Sequence, residues 1–138
     1  MNPNTQPLYQ ANDLAVYRQL HYSPKHKNTL DITLALGGIP IATIELKNPM
    51  TGQTWRNAVS QYQNDRNPSD LIFQFKKRTL VHFAADTDEV HTTTRLKGKQ
   101  TRFLPFNKGC MDGSGNPDNP NGHKTAYLWE AVLLNFQN

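Results

Sequence analysis

The sequence predicts an α+β domain built around a mixed β-sheet. Short apolar runs with period two dominate its first half, one amphipathic stretch of helical period interrupts them, and two further strand-like runs follow. The order β, β, β, α, β, β, loop, α divides the chain into a polar arm at 1–11 and a core at 12–106. A Gly/Asn/Pro-rich loop at 107–124 and a terminal helix at 125–138 complete it. The 138 residues suit one domain with a modest core.

The run from Leu14 to Tyr22 fits strand or helix by pattern, and is read as a strand because Ser23-Pro24 and residues 25–28 then connect it to the next one. Residues Leu30 to Leu36 alternate apolar and polar, Gly37-Gly38 turns the chain, and Ile39 to Lys47 returns. A two-residue Gly37-Gly38 loop would pair Asp31 with Ile44. A three-residue loop, Gly37-Gly38-Ile39, pairs Asp31 with Glu45 and segregates the side chains. One face then carries Leu30, Ile32, Leu34, Leu36, Pro40, Ala42, Ile44 and Leu46. The other carries Asp31, Thr33, Ala35, Ile41, Thr43, Glu45 and Lys47. A slip of one residue flips every side chain, so segregation favours the second register.

Asn48-Pro49 and Thr51-Gly52 end this hairpin. Thr54 caps a helix to about Asp65, with Trp55, Ala58, Val59 and Tyr62 as its apolar stripe, and Asn67-Pro68 stops it. Residues 79–85 and 89–96 read as strands around a turn at Asp86-Thr-Asp88, with His82 and His91 as packing or surface histidines. Loops as long as 107–124 tend to be functional or disordered. Gly113-Ser-Gly115 lies within it, but no G-x-x-x-x-G-K-[ST] is present, so there is no ATP motor in this sequence. Thr125 caps the terminal helix, Ala126 to about Phe136.

Composition excludes several function classes. No apolar run approaches a membrane span, and the first seven residues lack signal-peptide character, which points to the cytoplasm. The single cysteine, Cys110, excludes an internal disulfide and reads as a passive surface thiol. Five histidines show no zinc-binding spacing. A net charge of +4 permits a polyanionic partner. Positive residues gather at Lys76-Lys77-Arg78 and at Arg95, Lys97, Lys99 and Arg102, where they would neutralise phosphates, or else serve as solvated loop and edge-strand charges.

Asp31, Glu45 and Lys47 form D-x13-E-x-K on the paired strands. Two adjacent carboxylates repel, and a hard divalent cation resolves that repulsion. A lysine on the same face can orient or help deprotonate an attacking water, or stabilise charge on a phosphate. The chemistry indicated is metal-assisted hydrolysis of a phosphodiester. The plainer reading is a surface salt bridge of Lys47 with either carboxylate, and an E-x-K triplet alone recurs by chance.

Asp31 followed by Ile39-Pro-Ile-Ala-Thr-Ile-Glu-Leu-Lys-Asn-Pro49 resembles the PD-(D/E)xK nuclease core. More narrowly, it is similar to the N-terminal nuclease domain of the restriction (R) subunit of type I restriction–modification enzymes. The likeness continues through residues 61–66, 75–83, 94–98, 103–109, 113–117 and 127–130. It implies a restriction endonuclease-like α+β core and a type I site-specific deoxyribonuclease. Asp31, Glu45 and the Leu46 carbonyl would bind Mg²⁺, and Lys47 would position the water. Related nucleases carry Q-x-x-x-Y on the following helix. Gln61 matches the glutamine, Asp65 stands where the tyrosine would be, and Tyr62 lies about 100° round the helix.

The implied partners are double-stranded DNA and the modification and specificity subunits of a restriction complex; ATP would serve only the motor domains of a full-length subunit. The family's core normally begins with a helix that has no counterpart here. The chain is therefore expected to be a fragment or truncated product, its bare sheet covered by the terminal helix or by self-association. Two alternatives stand beside this reading: a stand-alone PD-(D/E)xK nuclease, and a catalytically silent DNA-binding or subunit-assembly piece.

Overall fold

A computed structural model describes residues 14–75, 78–110 and 113–128. Six strands lie side by side in chain order: β1 (Leu14–His21), β2 (Thr29–Leu36), β3 (Ile39–Leu46), β4 (Val81–Ala85), β5 (Val90–Thr93) and β6 (Leu104–Pro105). Neighbours are antiparallel except β3 and β4, which run parallel with Glu45 opposite Ala84. A parallel pair needs a crossover, and α1 (Trp55–Asp65) supplies it. The architecture is α+β with a mixed sheet, as the sequence predicts, and α1 is the one α-helix assigned a span among the described residues. The arm at 1–11 and the part of the expected terminal helix after Leu128 lie outside the described residues.

The β2–β3 hairpin combines the two registers that the sequence sets against each other. Ile32, Thr33 and Leu34 pair with Ile44, Thr43 and Ala42, the register that carries Asp31 toward Glu45. Nearer the turn, Ala35 pairs with Pro40 and Leu36 with Ile39, so the loop is Gly37-Gly38, not three residues long. Both glycines have positive φ (58° and 81°), the conformation of a tight two-residue hairpin. A bulge reconciles the two ends. Ile41 is the extra residue: its carbonyl accepts from the Leu80 N–H at 2.9 Å, and it packs partly against the cluster containing Ile44, not on the carboxylate face.

Helix α1 forms where the sequence predicts. The Thr54 side chain accepts from Arg56 N–H, and the Asn57 side chain accepts from the Thr54 N–H, a capping box. Its start is tied to the β4–β5 turn, because Asp86 Oδ2 accepts from Trp55 N–H at 2.9 Å. Trp55 also stacks on His91 with ring centroids 3.5 Å apart, and its indole N–H donates to Glu89. Ala58 and Tyr62 are buried against the sheet, with Val59 packed beside them.

While β1 is mostly exposed, over the central strands both faces of the sheet are covered. On one, Leu34, Ala42, Ile44, Phe83, Ala85 and Val90 pack under Tyr127 and Leu128, so the start of the C-terminal segment takes up apolar surface there. Thr125 Oγ1, expected as a helix cap, donates to the Asp86 carbonyl and fastens the segment to the sheet end. On the other face α1 joins Ile72, Phe73, Ala84 and Leu96. Leu30 belongs to this helix-side cluster, not to the face of Leu34, because β2 changes course at Asp31. Cys110 is exposed and free.

Candidate functional site

The change of course begins in β1, where Gln19 has φ 52°, the only positive φ of a non-glycine among the described residues. The ladder between β2 and β3 starts at Ile32–Ile44, so the strands part at Asp31. The Leu46 N–H, which a continued ladder would give to the β2 backbone, donates instead to Asp31 Oδ2 at 2.8 Å. The Gln19 amide donates to Asp31 Oδ1 at 3.3 Å and accepts from the Thr29 hydroxyl at 3.0 Å. Left-handed backbone is costly for a side chain with a Cβ and gathers at functional sites.

Glu45 is fully buried. Its Oε1 accepts from Arg66 Nε at 3.1 Å and Nη2 at 2.8 Å, while its Oε2 is buried with no partner. Arg66 also donates to the Thr29 carbonyl at 2.8 Å and to the Tyr22 hydroxyl at 3.4 Å. Burial, helped by the neighbouring Asp31, pushes the Glu45 carboxyl up to about 7 against the pull of Arg66. The hairpin thus brings Asp31 and Glu45 within electrostatic reach of one another. The salt bridge at Glu45 is made by Arg66, not by Lys47.

Lys47 continues the β3 strand by one bond, its N–H donating to the Ala85 carbonyl at 2.9 Å. Strand alternation therefore keeps it on the Glu45 side. The described residues offer it no ion-pair partner. Gln61 Oε1 is buried without a partner, and Gln61 lines a cleft of about 580 Å³ with Lys27, Thr29, Asn64, Asp65 and Arg66. A second cleft of about 570 Å³ opens over Asp31, Arg18, Gln19, Ile32 and Leu46.

The donor set fits a hard divalent cation. Glu45 presents an unpartnered carboxylate oxygen, and Asp31 beside it, anchored through Oδ2 by the Leu46 N–H at 2.8 Å, has only the long Gln19 bond on Oδ1. No group of three or more His, Cys, Asp or Glu gathers among the described residues. Backbone and water would have to complete the coordination, which suits Mg²⁺, a cation that binds one or two carboxylates and keeps several waters.

The family model of the type I restriction enzyme R protein N terminus matches residues 5–101, more than half of the chain. The chain belongs to that family. No curated protein and no solved structure matches it. The R-protein stretch contains Asp31, Glu45, Leu46, Lys47, Gln61 and Arg66, together with Arg95, Lys97 and Lys99, and ends one residue before Arg102.

The four basic residues stand apart from the carboxylates. Arg95, Lys97, Lys99 and Arg102 are exposed on and after the loop that follows β5, and none lines either cleft beside Asp31 and Glu45. Arg95 lies over the Phe75 ring at 5.0 Å. The loop is pinned to α1 by a bond from the Gln63 amide to the Thr101 carbonyl at 3.1 Å. Lys76 and Lys77 lie outside the described residues. The described part of this R-protein domain has no helix long and apolar enough to cross a membrane.

Arg66 is the site residue that sequence reasoning misses. It stands just before the helix-stopping Asn67-Pro68 and looks like an ordinary last-turn cation. The available signal was Glu45 itself: a carboxylate on a strand face that a crossover helix covers needs a cation. Tyr62, one residue past Gln61, points into the sheet, where its hydroxyl meets Thr43 Oγ1 at 2.8 Å and the Phe83 carbonyl at 3.2 Å.

Proposed function

We propose that the chain is the nuclease domain of a type I restriction R protein, hydrolysing phosphodiester bonds of double-stranded DNA with Mg²⁺ in the cytoplasm. The observation that carries this reading is the unpartnered, buried Oε2 of Glu45 beside Asp31, at the point where β2 leaves β3. Asp31, Glu45 and the Leu46 carbonyl hold the cation. When bound, it polarises the scissile phosphate and offsets the charge that develops there. Lys47 orients the attacking water and assists its deprotonation, and Gln61 supports the site from α1. Arg95, Lys97, Lys99 and Arg102 neutralise backbone phosphates away from the reacting centre. Site recognition falls to the modification and specificity subunits, and ATP-driven translocation to motor domains.

The test is nicking of supercoiled plasmid with Mg²⁺ or Mn²⁺ by the wild type and by Asp31→Asn, Glu45→Gln and Lys47→Ala. Each substitution is expected to lower the rate by about a hundredfold or more. Cutting that survives all three removes the site. One observation favours a second reading: Arg66 already neutralises Glu45, so the pair also suits a silent domain that only binds DNA or assembles subunits. Mn²⁺ binding without nicking would select it.

A further inference from the structure

We infer that Arg66 is a positioning residue for the metal site: its guanidinium holds Glu45 by one oxygen and so turns the other toward Asp31. The inference rests on the metal-site reading above. Arg66 is itself almost wholly buried, at 4 % exposure, and both its Nε and Nη2 converge on the same atom, Glu45 Oε1. A pair that served charge balance alone would gain from the two-oxygen, fork-to-fork arrangement that arginine and carboxylate usually adopt. Here the second oxygen is left without any donor.

The other bonds of Arg66 explain why it cannot follow if Glu45 rotates. Nη2 also donates to the Thr29 carbonyl at the start of β2, and Nη1 to the Tyr22 hydroxyl that follows β1. The Tyr22 ring lies 5.6 Å from the guanidinium carbon. Arg66 therefore spans β1, β2 and β3 at the place where β2 diverges. It fixes Thr29 and Glu45 relative to each other, with Asp31 two residues along from Thr29. Groups that orient a metal ligand in this way typically set affinity by about 10–100-fold. Lysine keeps the charge but has no fork with which to hold Glu45 and Thr29 together.

The experiment compares Mn²⁺ affinity, by calorimetry and electron paramagnetic resonance on the full chain, for the wild type, Arg66→Lys and Arg66→Met. Plasmid nicking is measured in parallel, separating the rate at saturating DNA from the DNA concentration needed. Arg66→Lys keeps a cation beside Glu45 and remains informative if Arg66→Met fails to fold. The expected result is Mn²⁺ binding weakened about tenfold in folded Arg66→Lys, and a slower rate at an unchanged DNA requirement. Wild-type Mn²⁺ affinity and rate in folded Arg66→Lys would overturn the inference and leave the nuclease reading standing. Weakened Mn²⁺ binding with no nicking by any form would support the inference and remove the nuclease. A wild type that binds no Mn²⁺ would overturn both.

Discussion

The two faces of the sheet both bury apolar clusters, but only one of them also buries a polar constellation. Leu34, Ala42, Ile44, Phe83 and Val90 make one of them a continuous apolar layer beneath Tyr127 and Leu128. The other buries Thr33, Thr43, Glu45 and His82 together with the apolar cluster of Leu30, Tyr62, Ile72, Phe73, Ala84 and Leu96. Its polar groups are only partly satisfied: Thr43 Oγ1 meets Tyr62 and, at 2.6 Å, His82 Nδ1, but Thr33 Oγ1 and Glu45 Oε2 meet nothing. Unsatisfied polar groups cost stability that an apolar layer would not. Both faces therefore contribute packing, and the helix face spends part of its share on a constellation around Asp31 and Glu45.

Substitutions on each face should separate stability from metal binding. The largest expected effect is that of Arg66→Met, which leaves Glu45 unpaired in the interior and should cost about 3–5 kcal/mol in urea unfolding. Recovery of most of that loss in Arg66→Met with Glu45→Met would identify the uncompensated charge as its cause. Ile44→Ala, on the apolar face, should cost about 2–4 kcal/mol through its cavity while leaving Mn²⁺ affinity at the wild-type value. A parallel loss of Mn²⁺ affinity would show that the faces are not independent. Tyr62→Phe removes a hydroxyl shared by Thr43 and the Phe83 carbonyl and should cost about 1–2 kcal/mol.

The smallest effect is a pH dependence that the wild type conceals. Glu45, raised to about 7 by burial, favours its neutral form in the fold, so its contribution to stability is lost as pH rises from its ordinary value toward 7. His82, lowered to about 4 by burial, is also kept neutral, so its contribution is lost as pH falls from its ordinary value toward 4. The two slopes oppose one another across weakly acidic pH. Glu45→Gln removes the first and should expose the second, giving stability that falls steadily between about pH 6.5 and 4 in metal-free buffer. A flat profile in Glu45→Gln would mean that His82 is not held neutral.

The sequence makes the hairpin, the register at its carboxylate end and the capped helix legible because each rests on local chemistry. Gly37-Gly38 admits positive φ, the Ile32–Leu34 alternation fixes a face, and Thr54 sits three residues before Asn57. The bulge at Ile41 depends on a bond from Leu80, 39 positions away, and no local pattern announces it. The departure of Leu30 to the helix side follows from the parting of β2 and β3 at Asp31, which is tertiary. Arg66 finds Glu45 across 21 residues, and its role emerges only when α1 is laid over that strand.

Calorimetric titration of Mn²⁺ into the wild type, Asp31→Asn and Glu45→Gln tests most directly whether the two carboxylates share one cation. A single wild-type site, weakened at least about tenfold by either change, is the predicted result. Equal affinity in all three proteins would contradict it.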